Sequence, residues 1–193
     1  MSQFNNYPTL DLIMGPMYSG KSTELIRRLS IFSEMGLRVL YINSKIDTRS
    51  KDSFSTHSPV IQSLGKIVSH KVNNLSEFKN DYGNYDVVGI DEGQFFKDLQ
   101  ESVLEMVEKY NIKVIIAGLN VDSNRKAFGD MISLVQYCDD ITKLNPCCLL
   151  CSKQNNQLIP AIFTKKIVKN TDQIIVGGKN EYIPVCRKCY LEK

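Results

Sequence analysis

The chain alternates between short apolar runs and stretches in which apolar residues recur every three or four positions. Leu10 to Met14, apolar apart from Asp11, predicts a buried strand. Leu25, Ile26, Leu29, Phe32 and Met35 then share one helical face, and Gly36 stands where a helix would stop. Leu37 to Ile42, bounded by Asn43-Ser44, predicts a second buried strand, followed by a polar loop from Lys45 to Ser58. A weaker strand from Ile67 to Val72 and a short helix from Leu75 to Asp81 lead to the apolar run that ends at Ile90. Asp98 is placed to cap a helix carrying Leu99, Val103, Met106, Val107 and Tyr110. Ile112 to Gly118 predicts the next strand and Leu119 to Gly129 a loop. A last helix near Met131 to Tyr137 and a strand near Ile141 to Leu144 complete the pattern. Near-continuous apolar strands separated by helices predict an α/β fold with a doubly wound parallel sheet.

Composition adds bounds rather than identity. At 193 residues and 42% hydrophobic, the chain can bury one good core and carry a small appendage. Lys and Arg total 24 against 21 Asp and Glu, a net charge of +3 with no basic block, so no nucleic acid and no membrane partner is expected. Met1 to Thr9 lacks the basic and apolar parts of a signal peptide, and no run of 18 apolar residues occurs. A cytoplasmic protein is the expectation. The six cysteines, with paired C-x2-C spacing and no export signal, favour metal over disulfides.

Three motifs carry chemistry. Gly15, Gly20, Lys21 and Ser22 fit G-x-x-x-x-G-K-[ST] between a strand and a helix, the setting of a phosphate-cradling loop in which the lysine reaches phosphate and the serine ligates Mg²⁺. Asp91 and Glu92 end an apolar strand. There the Asp can hold Mg²⁺, while the Glu, turned elsewhere, can take a proton from the group that attacks the γ-phosphate. Cys148, Cys151, Cys186 and Cys189 form two C-x2-C pairs separated by the 34 residues from 152 to 185, and four thiolates suit a closed, structural Zn²⁺ site. Cys147, beside the first pair, is not expected to be a ligand.

Weaker signals surround these. Asp47-Thr48-Arg49 follows a strand end, where open α/β sheets place ligand loops, although the residues by themselves read as solvated surface. The stapled loop holds Phe163 and Tyr182, and a β-rich run from Gln173 through Ile175 to Gly177-Gly178. That run suits either backbone pairing with a ligand or an ordinary hairpin. No arginine lies between Arg125 and Arg187. Kinases that act on an existing phosphate clamp it with bidentate arginines, so an uncharged acceptor hydroxyl fits better. On these residues alone two other classes stay open: a nucleic-acid-dependent ATPase in which Glu92 activates water, and a zinc-stabilised binding protein.

Gly15-Pro16-Met17-Tyr18-Ser19-Gly20-Lys21-Ser22-Thr23, Asp47-Thr48-Arg49, Ile90-Asp91-Glu92-Gly93-Gln94-Phe95-Phe96, Arg125 to Gly129 and the split cysteine pairs together resemble the type II thymidine kinases, the cellular and poxvirus-type family. The resemblance implies a RecA-like phosphate-loop domain with a mostly parallel sheet over 1–144, and a zinc-stapled lasso over 145–193 that covers the nucleoside. It implies transfer of the γ-phosphate of ATP to the 5′-hydroxyl of thymidine, deoxyuridine being possible, with Mg²⁺ and a structural Zn²⁺. A homotetramer inhibited by dTTP belongs to the same picture.

By matching position, Glu92 would be the general base, with Lys21, Arg49 and Asp47 at the transferring phosphoryl group. Gly15, Pro16, Met17, Tyr18, Ser19, Gly20, Lys21, Ser22 and Thr23 would cradle ATP, and Ser22 and Asp91 would hold Mg²⁺. Met17, Phe95, Leu119, Phe128, Phe163 and Tyr182 would line the base pocket, with backbone groups near Gln173, Ile175 and Gly177 on the pyrimidine edge. The chain departs from the animal and poxvirus forms in carrying Ser123 where those have an aromatic. Its lasso is also about six residues longer around Lys153 to Pro160, and only four residues follow Cys189, which predicts no regulatory tail.

Overall fold

The computed structural model describes residues 7–47, 67–168 and 181–192. Arg49, Gln173, Ile175, Gly177 and most of the polar loop expected from Lys45 to Ser58 lie outside the described residues.

Six strands, β1 (Leu10–Met14), β2 (Val39–Ser44), β3 (Val68–Val72), β4 (Val87–Ile90), β5 (Lys113–Gly118) and β6 (Asp140–Lys143), form one sheet in the order β3-β2-β4-β5-β1-β6. Every pairing is parallel. The continuous apolar runs are explained by burial on both faces, which strand alternation sorts into two cores. Leu10, Leu12, Met14, Leu40, Ile42, Val88, Ile90, Val114 and Ile116 face one layer, packed with Leu99, Val103 and Met106. Ile13, Val39, Tyr41, Val87, Ile115 and Ala117 face the other, against Leu25, Ile26 and Leu29 of α1 (Lys21–Glu34).

Helix α1 closes as its sequence predicts. Leu37 N–H bonds the Phe32 carbonyl at 3.1 Å and Gly36 N–H that of Ser33 at 3.0 Å, with Gly36 at φ 86, a Schellman ending that needs glycine's left-handed backbone. Met35, expected on the buried face, is the C-cap and half exposed.

Three expected helices take tighter or looser turns. The Leu75 to Asp81 segment forms a 3₁₀ turn at Leu75–Phe78, with another following it at Tyr82–Asn84, and the Met131 to Tyr137 segment a 3₁₀ turn at Ser133–Gln136. Helix α2 (Leu99–Leu104) runs on into a π-helical turn at Glu105–Lys109. Asp98 does not cap α2 with its side chain. Its carboxylate instead accepts the N–H groups of Leu75 at 3.1 Å and Ser76 at 2.9 Å, capping the neighbouring 3₁₀ turn.

Beyond β6, α3 (Leu149–Asn155), the antiparallel pair β7 (Phe163–Lys166) and β8 (Tyr182–Val185), and α4 (Arg187–Leu191) build a small unit with its own core. That core is Cys148, Cys151, Ala161, Ile183, Val185, Cys186 and Cys189.

Candidate active site

The loop between β1 and α1 is shaped by its glycines. A Cβ at Gly15 would collide with the Leu144 carbonyl oxygen, so only glycine brings the loop in over the end of β6. Gly20 takes φ 84 and Tyr18, without glycine's freedom, φ 66. Pro16 is buried, Met17 and Ser19 half-buried, and Tyr18 and Thr23 exposed. Lys21 is buried and donates from Nζ to the Pro16 carbonyl at 2.9 Å, curled across the loop. Ser19 Oγ is buried and, among the described residues, is the side-chain oxygen left with no hydrogen-bond partner. An unsatisfied buried hydroxyl costs about 1–3 kcal/mol. Beside a lysine and a glycine-built turn, it fits a phosphoryl oxygen as the missing partner.

Strand β4 delivers the two carboxylates and then turns sharply. Asp91, 1% exposed, accepts from Ser22 Oγ at 3.1 Å and from Glu92 N–H at 2.9 Å on Oδ1, and from the Tyr41 hydroxyl at 2.8 Å on Oδ2. Burial, and secondarily the charge of Glu92, pushes the Asp91 carboxyl up to about 6, against these three hydrogen bonds. The Ser22 and Asp91 oxygens are hard donors side by side, a pair that fits Mg²⁺.

Glu92 sits at φ 53, ψ 42, a left-handed conformation that costs a non-glycine residue about 1–2 kcal/mol. This turn parts the neighbouring acids: Asp91 faces the phosphate loop, while Glu92 Oε2 accepts from Gln94 Nε2 at 2.5 Å. The same amide's Oε1 accepts Leu119 N–H at 2.9 Å.

The remaining candidates lie on several elements. Phe95 and Phe128 meet edge to face with centroids 5.6 Å apart. Met17 N–H donates to Thr164 Oγ1 at 3.0 Å, joining the phosphate loop to the residue beside Phe163. Phe163 packs on Tyr190 at 5.0 Å, with the Arg125 guanidinium over both rings, and Tyr190 donates its hydroxyl to the Ser123 carbonyl at 2.7 Å. The loop bearing Phe128 is thereby bolted to the cysteine unit, and Ser123 contributes its backbone there. Tyr182 is buried in β8, opposite Lys166. Asp47, which reads as solvated surface in sequence, is 1% exposed. Its carboxylate lies 3.4 Å from Asn43 Nδ2 and its carbonyl accepts Lys71 Nζ at 3.0 Å.

The Sγ atoms of Cys148, Cys151, Cys186 and Cys189 lie within 4.8 Å of one another, with Cys151 at 3.8 Å from Cys186 and 3.4 Å from Cys189. A tetrahedral Zn²⁺ with bonds of about 2.3 Å puts its sulfurs about 3.8 Å apart, so the donor set and spacing fit zinc. Cys147 is exposed, outside this cluster.

A sequence model described as thymidine kinase matches residues 8–190. The chain belongs to the thymidine kinase family. It is 38% identical over 181 residues to thymidine kinase 1 of Dictyostelium discoideum, covering 94% of this chain and 77% of that protein. It is 36% identical over 185 residues to the thymidine kinase of Sheeppox virus, covering 96% and 98%. The cytosolic thymidine kinase of Cricetulus griseus is 35% identical over 185 residues, with 95% and 74% covered. Among the described residues of this thymidine kinase family member, no helix is long and apolar enough to cross a membrane.

Sequence reasoning about a thymidine kinase site passes over Tyr41, Asn43, Gln94 and Thr164. Tyr41 lies in a strand buried on both faces and reads as core, and Thr164 meets Met17 only through the fold. Gln94 had a signal, since it stands inside the motif that follows Asp91, but its partner Leu119 is distant in sequence.

Proposed function

We propose that this chain transfers the γ-phosphoryl group of ATP to the 5′-hydroxyl of thymidine, giving ADP and dTMP, with Glu92 as general base. The observation that carries the reading is the divergence of the two strand-end acids. Asp91 is tied to Ser22 at the phosphate loop, whereas Glu92 is tied through Gln94 to Leu119, on the side of Phe95 and Phe128. One acid thus serves the donor and the other the acceptor.

Lys21, Ser19 and the loop from Gly15 to Thr23 hold the phosphates, while Ser22 and Asp91 would hold Mg²⁺, which would supply positive charge to the phosphate oxygens. Glu92 takes the 5′-hydroxyl proton as the oxygen attacks phosphorus and the bond to the ADP oxygen breaks. Arg49 and Asp47 belong beside the transferring group. Met17, Phe95, Leu119, Phe128, Phe163 and Tyr182 line the base pocket, and Gln173, Ile175 and Gly177 meet the pyrimidine by backbone. In this reading 145–193 is a zinc-stapled lasso domain on a phosphate-loop domain of 1–144. Acceptance of deoxyuridine, inhibition by dTTP, a homotetramer and a cytoplasmic location extend the proposal.

Glu92→Gln keeps the side chain's size and removes its basicity. Turnover should fall by about 10²-fold or more, with binding of a fluorescent ATP analogue retained. Near-normal turnover would remove Glu92 as the base.

A further inference from the structure

We infer that Gln94 is a positioning residue that holds Glu92 and the start of the nucleoside-pocket loop in one geometry; the inference rests on the reading of Glu92 as base. The amide's orientation follows from chemistry. Leu119 N–H can only donate, so the atom it meets at 2.9 Å must be Oε1. That places the NH₂ group on Glu92 Oε2, at 2.5 Å, where it can only donate and the carboxylate must accept. One side chain therefore aims the Glu92 carboxylate and fixes the backbone where β5 becomes the Leu119 to Gly129 loop.

The surroundings leave that amide little freedom. Gln94 is 4% exposed. A Cβ at Gly118 would lie 2.8 Å from Gln94 Oε1 and 2.8 Å from Met131 Sδ, and one at Gly93 would lie 2.7 Å from Ile116 Cγ2. Gly129, at φ 55, backs so closely on the Gln94 main-chain carbonyl that any Cβ there would collide with it. Two glycines on separate segments thus close on one residue, Gly118 against its side-chain oxygen and Gly129 against its main chain. A glutamine needed only for turn formation would not require its side-chain end to be enclosed by Gly118. Its two amide atoms are spent on two different parts of the acceptor site, so losing one end or both should have separable effects.

Substitution separates the two ends. Gln94→Glu keeps an acceptor for Leu119 N–H but replaces the amide donor with a second carboxyl, which must repel Glu92 or share one proton with it, whereas Gln94→Met loses both hydrogen bonds. Steady-state kinetics should show kcat for Gln94→Glu down by at least about tenfold, with the thymidine KM within about twofold of the parent. Gln94→Met should lose kcat similarly and raise the thymidine KM by about fivefold or more, with the ATP KM unchanged in both. In a Glu92→Gln background, adding Gln94→Glu should cost less than about twofold further, because the two act as one unit. A parental kcat in Gln94→Glu, or full additivity in the double variant, would overturn the positioning role. The Glu92→Gln single variant reports separately: if it is inactive while Gln94→Glu is fully active, the base reading stands and this inference fails. Bound zinc and the ATP KM serve as folding checks; should Gln94→Met not fold, the Gln94→Glu and double-variant arms decide the question.

Discussion

Tyr41→Phe removes one buried oxygen and changes no shape, which makes it a clean probe of the carboxylate at the centre of the fold. The hydroxyl donates to Asp91 Oδ2 at 2.8 Å from a fully buried ring. A hydrogen bond to a charged group contributes about 2 kcal/mol, more than one to a neutral acceptor. The Asp91 carboxyl, already pushed up from its ordinary 3.8 to about 6 by burial and the charge of Glu92, would therefore move further up. A folded-state pKa above the unfolded value means that native stability is lost as pH rises through it, and the substitution carries that loss to higher pH. In magnesium-free buffer, urea denaturation should find the variant destabilised by about 2 kcal/mol at pH 9, where the carboxyl is ionised, and by distinctly less at pH 5. Equal destabilisation at pH 5 and pH 9 would refute the claim that the hydroxyl serves the ionised carboxylate.

Two further outcomes follow from the cysteine unit. Chelating the metal from Cys148, Cys151, Cys186 and Cys189 should abolish thymidine binding measured by calorimetry while leaving ATP-analogue binding intact, because metal binding and folding of such a unit are coupled; thymidine binding by stripped protein would contradict this. Tyr190→Phe deletes the 2.7 Å bond to the Ser123 carbonyl, a loss of about 1 kcal/mol that should raise the thymidine KM about fivefold and spare the ATP KM. An unchanged thymidine KM would show that this bolt does not act on the pocket.

Much of the architecture was legible because it rests on local or repetitive signals. Two-faced apolar strands, the glycine stop after α1, the phosphate-loop spacing and the paired cysteines each follow from residues close together in the chain, and the fold agrees with each. What was not legible depends on partners far away in sequence. Asp98 has the residue type of an N-cap, yet Leu75 and Ser76 compete for its oxygens and win. The segments at Leu75–Phe78 and Ser133–Gln136 have helical spacing but only 3₁₀ turns. Asp47 is a short polar residue after a strand, which ordinarily means solvent; in the fold it is buried, beside Asn43 and with its carbonyl on Lys71 from the neighbouring strand. Tyr41 carries a polar handle inside a run that periodicity can only describe as apolar.

The most direct test of the central claim is to mix purified protein with γ-labelled Mg·ATP and either thymidine or single-stranded DNA, and to follow both ADP release and the fate of the label. The account predicts that ADP release rises with thymidine and that the label appears on its 5′-oxygen, with a loss of about 10²-fold or more in Glu92→Gln. ADP release that rises with DNA and not with thymidine, the label ending as free phosphate, would contradict it.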